Sequence, residues 1–427
     1  MIVPDVLAQA GTGAVWAMLG AAVIAAGVAQ VYAELASAFP YAGGEYAMTA
    51  RVLGPAAGFA MLAVNLLNLL LATAVLSLGV AREITAVWPG APGPGVALGC
   101  LALATGLGVL NIRTNAWVTG GFLAVELLAL TFVAGLGLLH PVRELEALAT
   151  PVRLEGGGLV PAGWATAALA TTTALFAYDG YGSAAYLAEE LRDPRRRVPR
   201  AVLWACALVI GFELLPLLAV LAGAPDLRAL FARGVNAFVE ARAGPAVARA
   251  LGAAVALAIL NAVIALNLMS ARQLYAAARD GAWAPSVSRA LTTIHPRFRS
   301  PWIATLAAGA ASAALCLLPM RLLLVLTGTG LTAIYAALCM TLIAGRRTGA
   351  TACARHRVPG GRWTASLTVG ALAAVVLQGA WEGGDGRLSL LATAAVAGLG
   401  ALWGVLAVRR GRWRVTGPPD DAADDTA

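Results

Sequence analysis

Of the 427 residues, 60% are hydrophobic and only 12% carry a charge, and the mean hydropathy is +0.78. A soluble domain has about 25% charged residues, so this chain cannot cover a water-facing surface and most of it must meet lipid. The net charge of +8 comes from arginine alone; it is scattered over the segments between apolar runs, which speaks for topogenic charge and against a nucleic-acid surface.

In chain order, apolar runs long enough to cross a hydrocarbon core of roughly 30 Å as helices fall at residues 13–36, 55–80, 94–112, 116–139, 163–187, 201–222, 246–270, 301–319, 321–345, 363–381 and 388–408. They are continuous and rich in Ala and Leu, without the alternation of a membrane β-barrel. The expectation is an all-α polytopic membrane protein with eleven complete spans. Residues 1–10, at about 1.5 Å per residue, supply half a span more. Turn residues separate the runs, among them Pro89-Gly90-Ala91-Pro92-Gly93-Pro94 and the glycines at 156–158. One alternate set of connecting segments carries about 21 arginines and the other about 9, which puts the richer set and the carboxyl terminus on the cytoplasmic side of the cell membrane. The tail, residues 409–427, holds Asp420, Asp421, Asp424 and Asp425 and is expected to be disordered. Cys100, Cys206, Cys316, Cys339 and Cys353 show no paired spacing, so neither a disulfide framework nor a metal site is expected.

Two long motifs carry a specific similarity. The first is Tyr32-Ala33-Glu34-Leu35-Ala36-Ser37-Ala38-Phe39-Pro40-Tyr41-Ala42-Gly43-Gly44-Glu45-Tyr46, followed by Arg51-Val52-Leu53-Gly54-Pro55. The second is Phe176-Ala177-Tyr178-Asp179-Gly180-Tyr181, continuing through Glu189-Glu190 to Asp193-Pro194-Arg195-Arg196-Arg197-Val198-Pro199-Arg200. With Ala278-Arg279-Asp280-Gly281 and Arg357-Val358-Pro359-Gly360-Gly361, they resemble the amino acid–polyamine–organocation superfamily of permeases over nearly the whole chain. The resemblance implies a 5+5 inverted-repeat transporter fold plus two extra helices. Residues 1–140 would form the first repeat, 160–345 the second, and 363–408 the last two spans. Family spans one and six are broken at mid-membrane, where unwound backbone holds the substrate. Span six corresponds to residues 163–187, broken at Tyr178-Asp179-Gly180. Pro4 matches a proline that follows the break of span one, so that break and the half-helix before it are expected upstream of Met1. The implied function is secondary active transport of an amino acid or related amine by alternating access, with protons as coupling ion and no cofactor. The alternative is a degenerate or truncated relative that does not transport.

Candidate site residues follow from both readings. Gly180 and Gly182 permit non-helical backbone, and freed carbonyls at membrane depth are tolerated where they line a cavity. Phe176, Ala177, Tyr178, Asp179, Gly180 and Tyr181 are therefore the expected substrate site, with Tyr181 as an aromatic gate; the same residues also fit a kinked helix packed through glycine. The family's acid or amide at position 182 is replaced by Gly182, which leaves the substrate class open, with a mild preference for neutral amino acids. Glu126 lies mid-span, where a charge costs about 2.5–3.5 kcal/mol. It is either the proton-coupling group or a neutral acid bonded to a neighbouring helix. Ser270 is a possible neighbour of the family's cation site. Glu213 is expected to bond carbonyls freed by Pro216, Glu34 to pair with an arginine, and Asn65, Asn68, Asn261 and Asn267 to join helices. The arginines from Arg192 to Arg200 are topogenic or form a latch with Glu189 and Glu190. Enzyme chemistry is not expected: a phosphate-binding Gly-x-x-x-x-Gly-Lys loop is impossible without lysine, and His140, His295 and His356 all lie between spans.

Overall fold

The computed structural model describes residues 2–88, 90–110, 112–144, 148, 150–381, 384–409, 411 and 413. The acidic stretch from Asp420 to Asp425 and Pro89 of the first turn lie outside them. In chain order the helices are α1 (Ile2–Ala10), α2 (Ala14–Ala38), α3 (Gly44–Leu53), α4 (Pro55–Val87), α5 (Gly93–Val109), α6 (Ile112–Leu139), α7 (Trp164–Ala177), α8 (Pro194–Gly223), α9 (Leu227–Arg233), α10 (Val235–Ala243), α11 (Pro245–Arg279), α12 (Pro285–Leu291), α13 (Trp302–Leu315), α14 (Met320–Thr348), α15 (Arg362–Trp381) and α16 (Gly384–Arg409). Proline opens α4, α8 and α11, at the one helical position where its missing N–H costs nothing.

Every apolar run of the sequence falls on helix, but the runs are not equal. Among the described residues seven helical stretches are long and apolar enough to cross a membrane: Val3–Ala38, Pro55–Thr85, Ala116–Leu139, Pro194–Gly223, Pro245–Arg279, Met320–Thr348 and Gly386–Arg409. α5, α13 and α15 are apolar but shorter. The run 163–187 is not one helix at all. α7 stops at Ala177, and Tyr181–Glu190 follows as a tighter 3-10 segment. Residues 2–10 are helical, and one 3-10 turn at Gly11–Gly13 joins them to α2.

The connections hold structure that hydropathy did not announce. α3, α9, α10 and α12 are short helices between the long ones. Among the described residues the strands form one hairpin, β1 (Val152–Glu155) paired antiparallel with β2 (Gly158–Pro161). Its turn is Gly156-Gly157, at φ +57° and +81°, the geometry that favours a two-glycine hairpin. α4 packs lengthwise on α11, α16 and α14, and α2 on α8 and α7. The largest buried apolar cluster joins α1, α2, α7, α8 and α14, so the interrupted α7 sits in the middle of the bundle.

Candidate functional site

Local backbone chemistry explains the interruption. The helix closes with Tyr178 N–H donating to the Leu175 carbonyl at 3.2 Å and Asp179 N–H to that of Phe176 at 3.3 Å. Gly180 then takes φ +114°, ψ −17°, a conformation costly for any residue with a Cβ. The chain resumes with Ser183 N–H donating to the Gly180 carbonyl at 3.1 Å. The carbonyls of Ala177 and Asp179 take no part in the bonds that close this turn. The Phe176 carbonyl, by contrast, accepts the Asp179 amide.

The turn faces a cavity of about 590 Å³, within the roughly 300–1,000 Å³ of small-molecule sites. Phe176, Ala177, Asp179 and Gly180 line it, and so does Glu126 from α6. The walls are otherwise mostly apolar, from α1, α4, α8 and α11. The structure thus brings together five of the eight candidate residues. The other three are set apart. Tyr178 is fully buried behind the wall. Tyr181 is also buried, stacked on Tyr335 with ring centroids 6.1 Å apart and edge-on to Tyr32 at 6.0 Å, and it is not among the residues that line the cavity. Ser270 is buried and donates to the Leu266 carbonyl of its own helix at 2.9 Å.

Next to the cavity lies a buried polar network that motif reading did not assemble. Tyr335 of α14 donates to the Asp179 carboxylate at 2.7 Å. Glu45 of α3, only 3% exposed, accepts hydrogen bonds from the hydroxyls of Tyr32 and Tyr186 and from Asn65 Nδ2 at 2.8 Å. Burial pushes the Glu45 carboxyl above its ordinary range, and the bonds from Tyr186 and Tyr32 pull the other way. Gly44 has φ +54°, and a Cβ there would sit 2.7 Å from the Tyr186 ring, so the second glycine of Gly43-Gly44 is required for this approach. The only signal in sequence was the motif itself, because the partners come from five separated segments, α2, α3, α4, the stretch after α7 and α14.

At the arginine-rich end, ion pairs tie the second half of the broken span to the bundle. Arg279 holds Glu189 through two bonds of 2.9 and 3.0 Å, and Arg272 holds Glu190 at 2.7 and 2.9 Å. Glu189 also accepts from the Ala42 amide at 3.1 Å. The latch partners are therefore on α11, not in Arg192–Arg200. Glu34 pairs with Arg346, as expected of it, and also accepts from the Val358 amide at 2.7 Å. Asn65 and Asn68 join helices as expected, Asn68 donating to the Thr327 carbonyl at 2.7 Å, and Asn267 approaches Thr105 at 3.4 Å. The Asn261 side-chain oxygen has no partner. Glu213 makes no bond to carbonyls near Pro216 among the described residues; both residues line the cavity instead.

An interrupted helix faces a mostly apolar cavity of small-molecule size within a bundle of long apolar helices. The sequence profile of the family described as amino acid permease matches residues 1–381. The chain belongs to the amino acid permease family. It is thus a multi-pass membrane protein of a permease family, not of an enzyme family. It is 32% identical over 322 residues to an uncharacterized transporter of Mycobacterium tuberculosis, a match over 72% of this chain and 66% of the relative. It is 31% identical over 209 residues to the Asc-type amino acid transporter 1 of Homo sapiens, covering 46% of this chain and 38% of that one. With the cationic amino acid transporter 4 of Mus musculus it shares 29% over 226 residues, 52% of this chain and 34% of the relative. The chain thus spans just under two thirds of the mycobacterial relative's length and about a third of the mammalian ones.

Proposed function

We propose that this permease is a secondary active transporter of an amino acid or related amine across the cytoplasmic membrane, coupled to protons and working by alternating access. The observation that carries the reading is the unwound turn at Tyr178–Gly180 set against the 590 Å³ cavity. Carbonyls left free by such a turn are the groups that hold an ammonium when water is excluded. In this reading the Ala177 and Asp179 carbonyls hold the amino group and Phe176 and Gly180 shape the pocket around it. Tyr178 and Tyr181 act from behind the wall, Tyr181 within the Tyr32–Tyr335 aromatic cluster. Glu126, on the same wall, carries the coupled proton. Ser270 belongs to packing.

The wider arrangement follows the same reading: two inverted five-helix repeats over residues 1–140 and 160–345, two further spans over 363–408, and the arginine-rich end with the carboxyl terminus in the cytoplasm. Two mammalian relatives carry amino acid transport in their names, which supports the substrate class. The test is uptake of radiolabelled amino acids and amines into proteoliposomes, with and without an imposed pH gradient. Gradient-driven accumulation of at least one compound is expected, and its loss in Glu126→Gln. No accumulation of any compound by the wild type would remove the reading.

A further inference from the structure

Two carboxyl groups enter the wall of the same cavity from neighbouring helices. Glu126 on α6 and Glu213 on α8 both line it, α6 and α8 pack along one another, and the two acids lie near enough to interact electrostatically. Among the described residues no hydrogen bond or ion pair holds either carboxyl. Other charged groups on the wall are Arg82 and Glu83 of α4, Asp179 at the turn and Arg233 at the end of α9, with Asp5 of α1 interacting with Arg82. α11, packed on α6, gives only apolar side chains to the wall, from Leu251 to Met269. Asp179 is occupied by Tyr335 and Arg233 by Glu240, so Glu126 and Glu213 stand on the shared wall as interacting acids without a hydrogen-bond or ion-pair partner among the described residues.

A second observation points at the same place. Tyr178, the first residue past α7, is fully buried and its hydroxyl has no hydrogen-bond partner among the described residues. Its electrostatic interactions are with Glu213 and Cys206, both on α8. A buried hydroxyl without an acceptor is unfavourable, and the carboxylate with which it interacts electrostatically is that of Glu213. Tyr178 is also part of the turn that interrupts the span. Whatever moves the turn moves this donor relative to Glu213.

We propose that Glu126 and Glu213 work as one proton-sharing carboxyl pair, with the Tyr178 hydroxyl linking the pair to the substrate turn. The inference rests on the proton-coupled reading above and deepens it. Two ionised carboxylates close together in an apolar wall repel, and one proton held between them relieves the repulsion. That proton enters from water on the side to which the cavity is open. It leaves to water on the other side, while Tyr178 donates a hydrogen bond to the ionised Glu213 and keeps its own proton. Glu213 is then a positioning residue and half of the proton site, and no covalent bond to substrate forms or breaks.

The test uses the full chain in proteoliposomes with an equimolar mixture of radiolabelled L-amino acids, reading gradient-driven accumulation and the pH dependence of counterflow. Glu213→Gln should lose accumulation as completely as Glu126→Gln, in both cases with counterflow that no longer varies with pH. The double variant should be no worse than either single one, as for residues acting as a unit. Tyr178→Phe should move the pH midpoint of counterflow without ending accumulation. If Glu213→Gln accumulates like the wild type while Glu126→Gln does not, the pair is overturned and Glu126 alone carries the proton. If wild-type accumulation ignores the pH gradient, the coupled reading itself fails. Should Glu213→Gln lose counterflow too, Glu213→Asp decides: recovered accumulation supports the pair, and continued loss overturns it.

Discussion

Gly180→Ala isolates the backbone turn from everything around it. Gly180 stands at φ +114°, and a Cβ built there meets no atom within 4 Å. The substitution therefore brings no clash, and its whole effect is the strain of a left-handed conformation, about 1–3 kcal/mol. That is about a 5- to 150-fold loss in the population of the interrupted arrangement relative to any other. Gly211 in α8 is the control, since a Cβ there also meets nothing within 4 Å but its backbone is helical. Gly211→Ala should stabilise by about 0.5–1 kcal/mol. Thermal melting in detergent and uptake in proteoliposomes should both fall for Gly180→Ala, while Gly211→Ala melts higher with uptake unchanged. If the two variants behave alike, the turn is not held by the positive φ of Gly180, and the argument for a built-in break is wrong.

Other outcomes follow from the polar contacts. Glu34 is 0% exposed and its partner Arg346 15%, so Arg346→Ala strands a buried charge and should cost about 3–5 kcal/mol; adding Glu34→Gln should recover part of the loss in melting temperature. Burial pushes the Glu45 carboxyl up, so the folded chain keeps that proton where the unfolded chain has lost it. The stability contributed is full below the unfolded carboxylate pKa and is lost as pH rises through the folded value. Melting of the wild type relative to Glu45→Gln, which does not titrate, should accordingly decline as pH is raised from the ordinary carboxylate range, and a constant difference would refute the assignment. Arg279 and Glu189 are 19% and 18% exposed, against 13% and 37% for Arg272 and Glu190, and Glu189 also binds the Ala42 amide. Arg279→Ala should therefore destabilise more than Arg272→Ala, whose effect should stay within about 1 kcal/mol and fade with added salt; a reversed order in salt-titrated melting curves would count against it.

Where the sequence was a good guide, the cause was local. A continuous apolar run can satisfy its backbone in lipid only as helix, and each of the eleven runs lies mainly on helix, with the break in 163–187 as the marked interruption. The break at Tyr178–Gly180 was legible from glycine beside an acid inside an apolar run, together with the motif around it. The pairing of Glu34 with an arginine needed only that a buried acid find a partner. Glu213 was misread because its neighbour Pro216 suggested a partner in sequence, whereas the fold sets it in the wall of a cavity that α6 and the turn after α7 also line.

Composition and periodicity alone determined that this is a helical membrane protein, since lipid leaves an open chain no other way to satisfy its peptide groups. Only the tertiary structure decided which polar residues meet. Glu45 with Tyr32, Asn65 and Tyr186, and Asp179 with Tyr335, are separated by up to 156 residues in the chain, and Glu126 and Glu213 come to one cavity wall from different helices. Such encounters depend on how helices cross and rotate against one another, and hydropathy carries no record of that.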